Sequence, residues 1–438
     1  MSCRSTRRIR CLSVSVVSAL LAVMSPAGAG GSPGCDREIE RNRYGTWTTT
    51  AWPTTPRGPV EVDQLPLGKD VVRSYAVDPN DASTIYVADD WTVMRSTDGG
   101  CTWAKSFSVL DEGGISPETD QIVSLTAAAT SPTETRVYAL MRHGGTPFAS
   151  DQPSLSVARL AVLDGTGRWS VRDPALAGTG APLVGEAEKL WVRPGAPGVM
   201  YMRVNDFTNL GSDAGKSTYV PGLALYASED AGITWELRGA RGSVMDPRRI
   251  TPAAPCATSE ICSVDYMALA VDPLEPNVLW SATYAGVVKS TDGGRSWRDA
   301  YSTSWSVVTI DIHHSPGGSA RIAVLGLRNA AWSFDGGVTW RSVDLMVDRI
   351  PAASASGHAA EVIYTDNDGR AHVARPSGGR DVSLPSHGEP TEADTEYTRL
   401  RDVTYVPDAR SYFFLGANWW DGKSLVMFTP RARAGDRL

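Results

Sequence analysis

Ser290-Thr291-Asp292-Gly293-Gly294-Arg295-Ser296-Trp297 is one of four copies of a short pattern on which the reading of this chain turns. The others are Ser96-Thr97-Asp98-Gly99-Gly100-Cys101-Thr102-Trp103, Ser228-Glu229-Asp230-Ala231-Gly232-Ile233-Thr234-Trp235 and Ser333-Phe334-Asp335-Gly336-Gly337-Val338-Thr339-Trp340. All four share Ser, Asp, Gly, Thr or Ser, and Trp at fixed spacing. These residue types write a hairpin. The Asp carboxylate accepts hydrogen bonds from backbone N–H groups just ahead of it, the Gly supplies a positive φ, and the hydroxyl ties the far side of the turn. The Trp packs its ring beneath the turn and between neighbouring sheets. One supersecondary unit repeated down a chain implies a repeat architecture.

A second regularity lies upstream of the motif. Tyr75-Ala76-Val77-Asp78-Pro79, Thr84 to Ala88 and Val93 to Arg95 precede the first copy, and Leu269-Ala270-Val271-Asp272-Pro273, Val278 to Ser281 and Gly286 to Lys289 precede the third. Each unit therefore reads as four antiparallel strands, with an Asp-Pro turn after the first and the Asp turn after the third. Weaker copies fill the gaps. Asp164-Gly165-Thr166-Gly167-Arg168-Trp169 keeps only the Asp-to-Trp spacing, while His358 to Arg375 and Leu400 to Phe428 look like units without the motif. The count predicts an all-β, seven-bladed β-propeller of four-stranded antiparallel blades, with six or eight blades as the alternatives. The last unit ends after its third strand near Phe428, and Gly45-Thr46-Trp47-Thr48-Thr49-Thr50 copies the motif's tail plus a fourth strand, so this segment is expected to close the ring.

The motifs resemble Asp boxes, the bacterial neuraminidase repeats of sialidases, xyloglucan-cleaving glycoside hydrolases, sortilin-type receptors and photosystem assembly factors. The resemblance implies the propeller fold from about Tyr44 onward, and it implies that Asp98, Asp230, Asp292 and Asp335, with Trp103, Trp235, Trp297 and Trp340, are structural residues at outer turns away from any ligand. Sialidases also carry an Arg-Ile-Pro motif early in the first blade, whereas Arg349-Ile350-Pro351 here follows the last Asp box. That displacement counts against a sialidase.

Residues 1–29 read as an export signal: Arg4, Arg7, Arg8 and Arg10 form a basic region, Leu12 to Met24 an apolar one, and Ala27-Gly28-Ala29 a cleavage site. Thr6-Arg7-Arg8 resembles a twin-arginine signal, but Arg10 and Cys11 follow where apolar residues are usual, which favours the general secretory route. Residues 30–43 then form a linker, 44–430 the propeller and 431–438 a tail. Removing four arginines and no acidic residue takes the formal net charge from -7 to -11. An acidic, secreted chain disfavours nucleic acid and anionic membranes as partners. The mature chain keeps Cys35, Cys101, Cys256 and Cys262, an even number that suggests two disulfides. Cys256 with Cys262 closes a short loop and Cys35 with Cys101 follows by elimination; four free thiols are the alternative.

If the Asp turns occupy one face, the loops between second and third strands, and those entering the first, occupy the other. Reading round that face gives Asp89-Asp90-Trp91, Arg142-His143, an insertion from Asn205-Asp206 to Pro221, Tyr284, Trp305, Arg328-Asn329, Arg399 and Asn418-Trp419-Trp420-Asp421. Aromatic faces cover the C–H patches of a pyranose, and Asp, Asn and Arg address its hydroxyls. The expected role is binding of a glycan or extracellular protein surface by a monomer. The alternative is a glycoside hydrolase using two carboxylates drawn from Asp89, Asp90, Asp206, Asp265 and Asp421, and a third reading is an envelope assembly scaffold. No cofactor or metal is expected. His313-His314 point to opposite faces of a strand, and Asp366-Asn367-Asp368-Gly369 lacks the later acid of a calcium loop.

Overall fold

A computed structural model describes residues 38–41, 45–49, 74–111, 120–144, 156–183, 185–193, 195–213, 216–241, 268–275, 277–283, 286–305, 307–314, 318–326, 329–345, 353–356, 361–365, 371–376, 380–381, 399–406, 411–417 and 424–430. Strands β1 (Glu38–Arg41) and β2 (Gly45–Thr49) come first. Sheet 1 holds β3 (Ser74–Asp78), β4 (Asp81–Ala88), β5 (Thr92–Ser96) and β6 (Ala104–Ser108). Sheet 2 holds β7 (Gln121–Ser131), β8 (Glu134–His143), β9 (Val157–Leu163) and β10 (Trp169–Arg172). After β11 (Ala175–Leu176), sheet 3 is built from β12 (Glu186–Val192), β13 (Met200–Asp213), β14 (Lys216–Ser228) and β15 (Thr234–Arg241), with β11 added parallel to β15.

The same order repeats downstream. Sheet 4 is β16 (Leu269–Val271), β17 (Leu279–Thr283), β18 (Gly286–Ser290) and β19 (Arg298–Ser302), and sheet 5 is β20 (Val307–His314), β21 (Ala320–Gly326), β22 (Asn329–Ser333) and β23 (Arg341–Asp344). Sheet 6 is β24 (Ala353–Ser356), β25 (Glu361–Thr365), β26 (Ala371–Ala374) and β27 (Arg380–Asp381). Sheet 7 is β28 (Arg399–Val406), β29 (Ser411–Ala417) and β30 (Ser424–Pro430), continued by β2 and then β1. β2 lies antiparallel to β30, with Gly45 opposite Pro430 and Thr49 opposite Val426.

The first strands of successive sheets touch in chain order, β3 to β7, β12, β16, β20, β24 and β28. The apolar clusters lie between consecutive sheets. Ile122, Val137, Ala139 and Met141 of sheet 2 meet Tyr86, Val93 and Phe107 of sheet 1, while Tyr138, Leu140 and Leu160 face Met200, Met202 and Trp235 of sheet 3. Further clusters join sheets 3 and 4, 4 and 5, and 5 and 6. A strand covered on both faces needs apolar residues in an unbroken run. Val137 to Met141 and Ile322 to Leu325 are such runs, buried at every position. Fourth strands such as β19 and β23 are mostly exposed, whereas β9, β21 and β22, inner strands of sheets 2 and 5, are mostly buried.

Four details depart from the sequence reading. β1 lies within the stretch read as a linker, and β24 precedes the segment taken to open sheet 6. β11 was not foreseen. The insertion from Asn205 to Pro221 is not a loop, because β13 and β14 continue through it as a paired hairpin. Pro221 lies beyond Leu223, the last residue of β14 paired with β15 among the described residues, and a proline is tolerated where a strand forms an edge.

Candidate functional site

The four repeated turns have nearly identical internal bonding. The Ser hydroxyl donates to Asp Oδ1 at 2.8 Å in every copy. The same hydroxyl accepts the N–H of the second Gly position, at 2.7 Å from Gly100 and 2.8 Å from Gly294. Asp Oδ1 also accepts the N–H four residues on, and Oδ2 accepts that residue's hydroxyl, as at Ser296 and Thr339. Three of the tryptophans then return an indole N–H to the turn's own Gly carbonyl. Burial pulls the Asp98 carboxyl upward, but hydrogen bonds from Thr102, Ser96 and Cys101 outweigh it and hold the group at about 2. Asp335 is held at about 2, chiefly by the Thr339 hydroxyl and N–H. At Asp230 and Asp292 the same hydrogen bonds overcome burial and lower the group.

These turns share one end of the sheets with the connections from first to second strand. The residue after each Asp donates its N–H there: Gly99 to Ser83 O, Ala231 to Gly198 O, Gly293 to Asn277 O and Gly336 to Ala320 O. Bonding inside the turn occupies both oxygens of each motif carboxylate. A reduced version closes sheet 2, where Asp164 accepts from Thr166 and Arg168 and Trp169 lies 5.0 Å from Phe107.

At the opposite end, sheets 1 and 2 meet at a polar rim. Asp89 accepts the N–H groups of Trp91 at 2.7 Å and Thr92 at 2.5 Å, which fixes the turn between β4 and β5. The Asp90 carbonyl takes the Ile122 N–H at 2.7 Å and the Trp91 carbonyl takes the Val109 N–H at 2.8 Å. The turn is thereby tied to the start of sheet 2. Just ahead of β7 sits Asp120, 2% exposed, with its carboxylate hydrogen-bonded to Nδ1 of His143. Gln121 pairs with Arg142, so Asp120 and His143 extend the same ladder by one step. Met141 packs toward sheet 1, and alternation puts His143 on that side and Arg142 on the side of sheet 3.

The other expected site residues are placed as follows. Trp305 lies between β19 and β20, half-buried, with its ring 6.1 Å from Tyr301, which in turn stacks on Trp340 at 4.7 Å. It therefore belongs to the packing between sheets 4 and 5. Asn329 opens β22 opposite Asp344, Arg399 opens β28 opposite Ala417, and Asp206 stands within β13 opposite Gly222. Asp265, Tyr284, Arg328, Asn418, Trp419, Trp420 and Asp421 lie outside the described residues, as do Cys35, Cys256 and Cys262. Cys101 is disulfide-bonded. His314 is bound through Nε2 to Asp272 at 2.8 and 2.9 Å, which joins sheet 5 to sheet 4. Among the described residues no group of three His, Cys, Asp or Glu is arranged to hold a metal ion.

No family model and no curated protein matches the chain. Among solved structures, YCF48 from Cyanidioschyzon merolae is 16% identical, with a TM-score of 0.50, over 87% of this chain and 98% of that one. Its fold is a β-propeller. This chain is a β-propeller too. A chain of a structure titled Crystal Structure of Mitotic Checkpoint Complex is a weaker match, 14% identical with a TM-score of 0.46, over 82% of this chain and 90% of that one. A propeller hosts many unrelated activities, so function rests on the residues of its faces. Of the expected site, this propeller brings together Asp89, Asp90 and Trp91, and it adds Asp120, which sequence reasoning passed over. The signal was the register of β7 against β8, which sequence does not print.

Proposed function

We propose that this propeller is an exported binding protein whose ligand, a glycan or a protein surface, sits on the face opposite the Asp turns. The supporting observation is the division of labour between the two ends. The motif carboxylates at one end spend both oxygens inside their turns, while the other end presents Asp90, Trp91 and His143 on a backbone fixed by cross-sheet hydrogen bonds. In this reading the seven sheets are seven blades, the repeated turns are Asp boxes, and β2 is the fourth strand of the last blade. Residues 1–29 are removed after Ala29, Cys35 pairs with Cys101 and Cys256 with Cys262, and the mature protein is a monomer.

The glycoside hydrolase reading asks more of the same residues. It needs two carboxylates flanking one bond, and Asp89 already accepts two backbone N–H groups of its own turn. Immobilised glycans separate the two readings. Retention on a glycan array without release of reducing sugar, weakened in Trp91→Ala and in Trp419→Ala with Trp420→Ala, supports recognition. Release of reducing sugar that is abolished by Asp90→Asn or Asp421→Asn supports hydrolysis instead.

A further inference from the structure

The Asp120 and His143 pair has no part in the turn chemistry that holds the propeller together. Asp120 is 2% exposed, and it meets His143 only because β7 and β8 bring residues 23 positions apart onto one ladder. His143 is different: one third of its side chain, 33%, remains exposed on the loop face. A buried carboxylate takes a proton donor, so Nδ1 carries the hydrogen and points inward. Nε2 then carries a lone pair, and among the described residues it makes no hydrogen bond. An imidazole oriented from behind by a buried carboxylate has one fixed tautomer and one outward acceptor.

We propose that His143, positioned by Asp120, is the residue of the loop face that accepts a hydrogen bond from a hydroxyl of a neutral, polyhydroxylated ligand. Charge argues for that class. The turn beside the pair carries the carboxylates of Asp89 and Asp90, which repel an anionic group approaching Nε2. A neutral hydroxyl offers the donor that Nε2 needs without that repulsion, and the same turn carries Trp91, half-buried, a residue type on which sugar rings pack. His143 touches the ligand; Asp120 is the positioning residue behind it. The inference rests on the binding role proposed for this face.

Two measurements on the full chain test it. Long-range ¹H–¹⁵N correlation spectra report histidine tautomers directly, and His143→Gln identifies the signal among six histidines. The expected state at neutral pH is Nδ1–H for His143, lost in Asp120→Asn and recovered at least in part in Asp120→Glu. An array of neutral xylo-, manno-, cello- and malto-oligosaccharides supplies the ligand probes. Binding is expected to weaken about tenfold in His143→Ala, the loss of one good hydrogen bond, and to follow the tautomer in the Asp120 variants. A free protein with His143 in the Nε2–H form overturns the inference and leaves the binding role standing. So does binding that falls in Trp91→Ala and is unchanged in His143→Ala. An array on which the wild type retains no oligosaccharide overturns the inference, and it leaves the binding role to a protein surface.

Discussion

At Gly337 the backbone requires what only glycine supplies. Its φ is +89°, and a Cβ built there meets the Trp280 ring of sheet 4 at 2.4 Å. Gly100, Gly232 and Gly294 repeat the conformation at 89°, 87° and 88°. Gly337→Ala combines left-handed strain with overpacking against a buried ring, and about 3 kcal/mol of stability should be lost in denaturant titration. Ala231 supplies the contrast. It occupies the position filled by glycine in the other three turns, at φ +62°, so Ala231→Gly should stabilise by up to about 1 kcal/mol. Equal effects of the two substitutions would remove the conformational explanation. The motif's Asp residues make a separate prediction about acid. Asp98 and Asp335 are lowered from 3.8 to about 2 in the fold, so their contribution is fully present above about 4 and disappears as pH falls through 2. Denaturation midpoints should drop between pH 4 and pH 2, and the drop should be shallower in Asp98→Asn with Asp335→Asn; an unchanged slope would refute the assignment.

At the scale of the element, adjacent sheets are joined by polar clasps as well as by apolar packing. The Asp-Pro turn of sheet 4 begins with Asp272, which caps the N–H groups of Leu274 and Glu275 at 2.9 Å and binds His314 of sheet 5. In sheet 1 the matching Asp78 accepts the Thr135 hydroxyl of sheet 2 at 2.5 Å. The Asp-Pro dipeptides were legible as turns, but their partners were not, because a hydroxyl or an imidazole on the next sheet is chosen by packing between units. The same limit hid Asp120 and His143. His314→Ala leaves a buried carboxylate with its two backbone donors only, and about 2 kcal/mol should be lost. A double-mutant cycle with Asp272→Asn should return a coupling of about 1 kcal/mol or more. Additive losses would mean that the two residues act separately.

At the scale of the whole molecule, the repeats were readable because each turn needs the same residues at the same spacing, whatever its neighbours. The sheets without the motif were readable only as alternation, and β11 and β24 escaped because two to four residues carry little periodic signal. Asp265, Tyr284, Arg328 and Asn418 to Asp421 of the expected ligand face lie outside the described residues, and the rim between sheets 1 and 2 is the part assembled from described ones. Closure depends on chain segments far apart in sequence. β2 covers β30, and β1 covers β2, so three strands near one terminus are completed by two near the other. Deleting residues 38–50 removes β1 and β2 and uncovers one edge of β30 from Val426 to Pro430. An exposed edge strand pairs with whatever edge it meets. The truncated chain should therefore form concentration-dependent oligomers in size-exclusion chromatography with light scattering, and its thermal transition should broaden and move down. A truncated protein that stays monomeric and unfolds at the wild-type temperature would show that β30 does not need this cover.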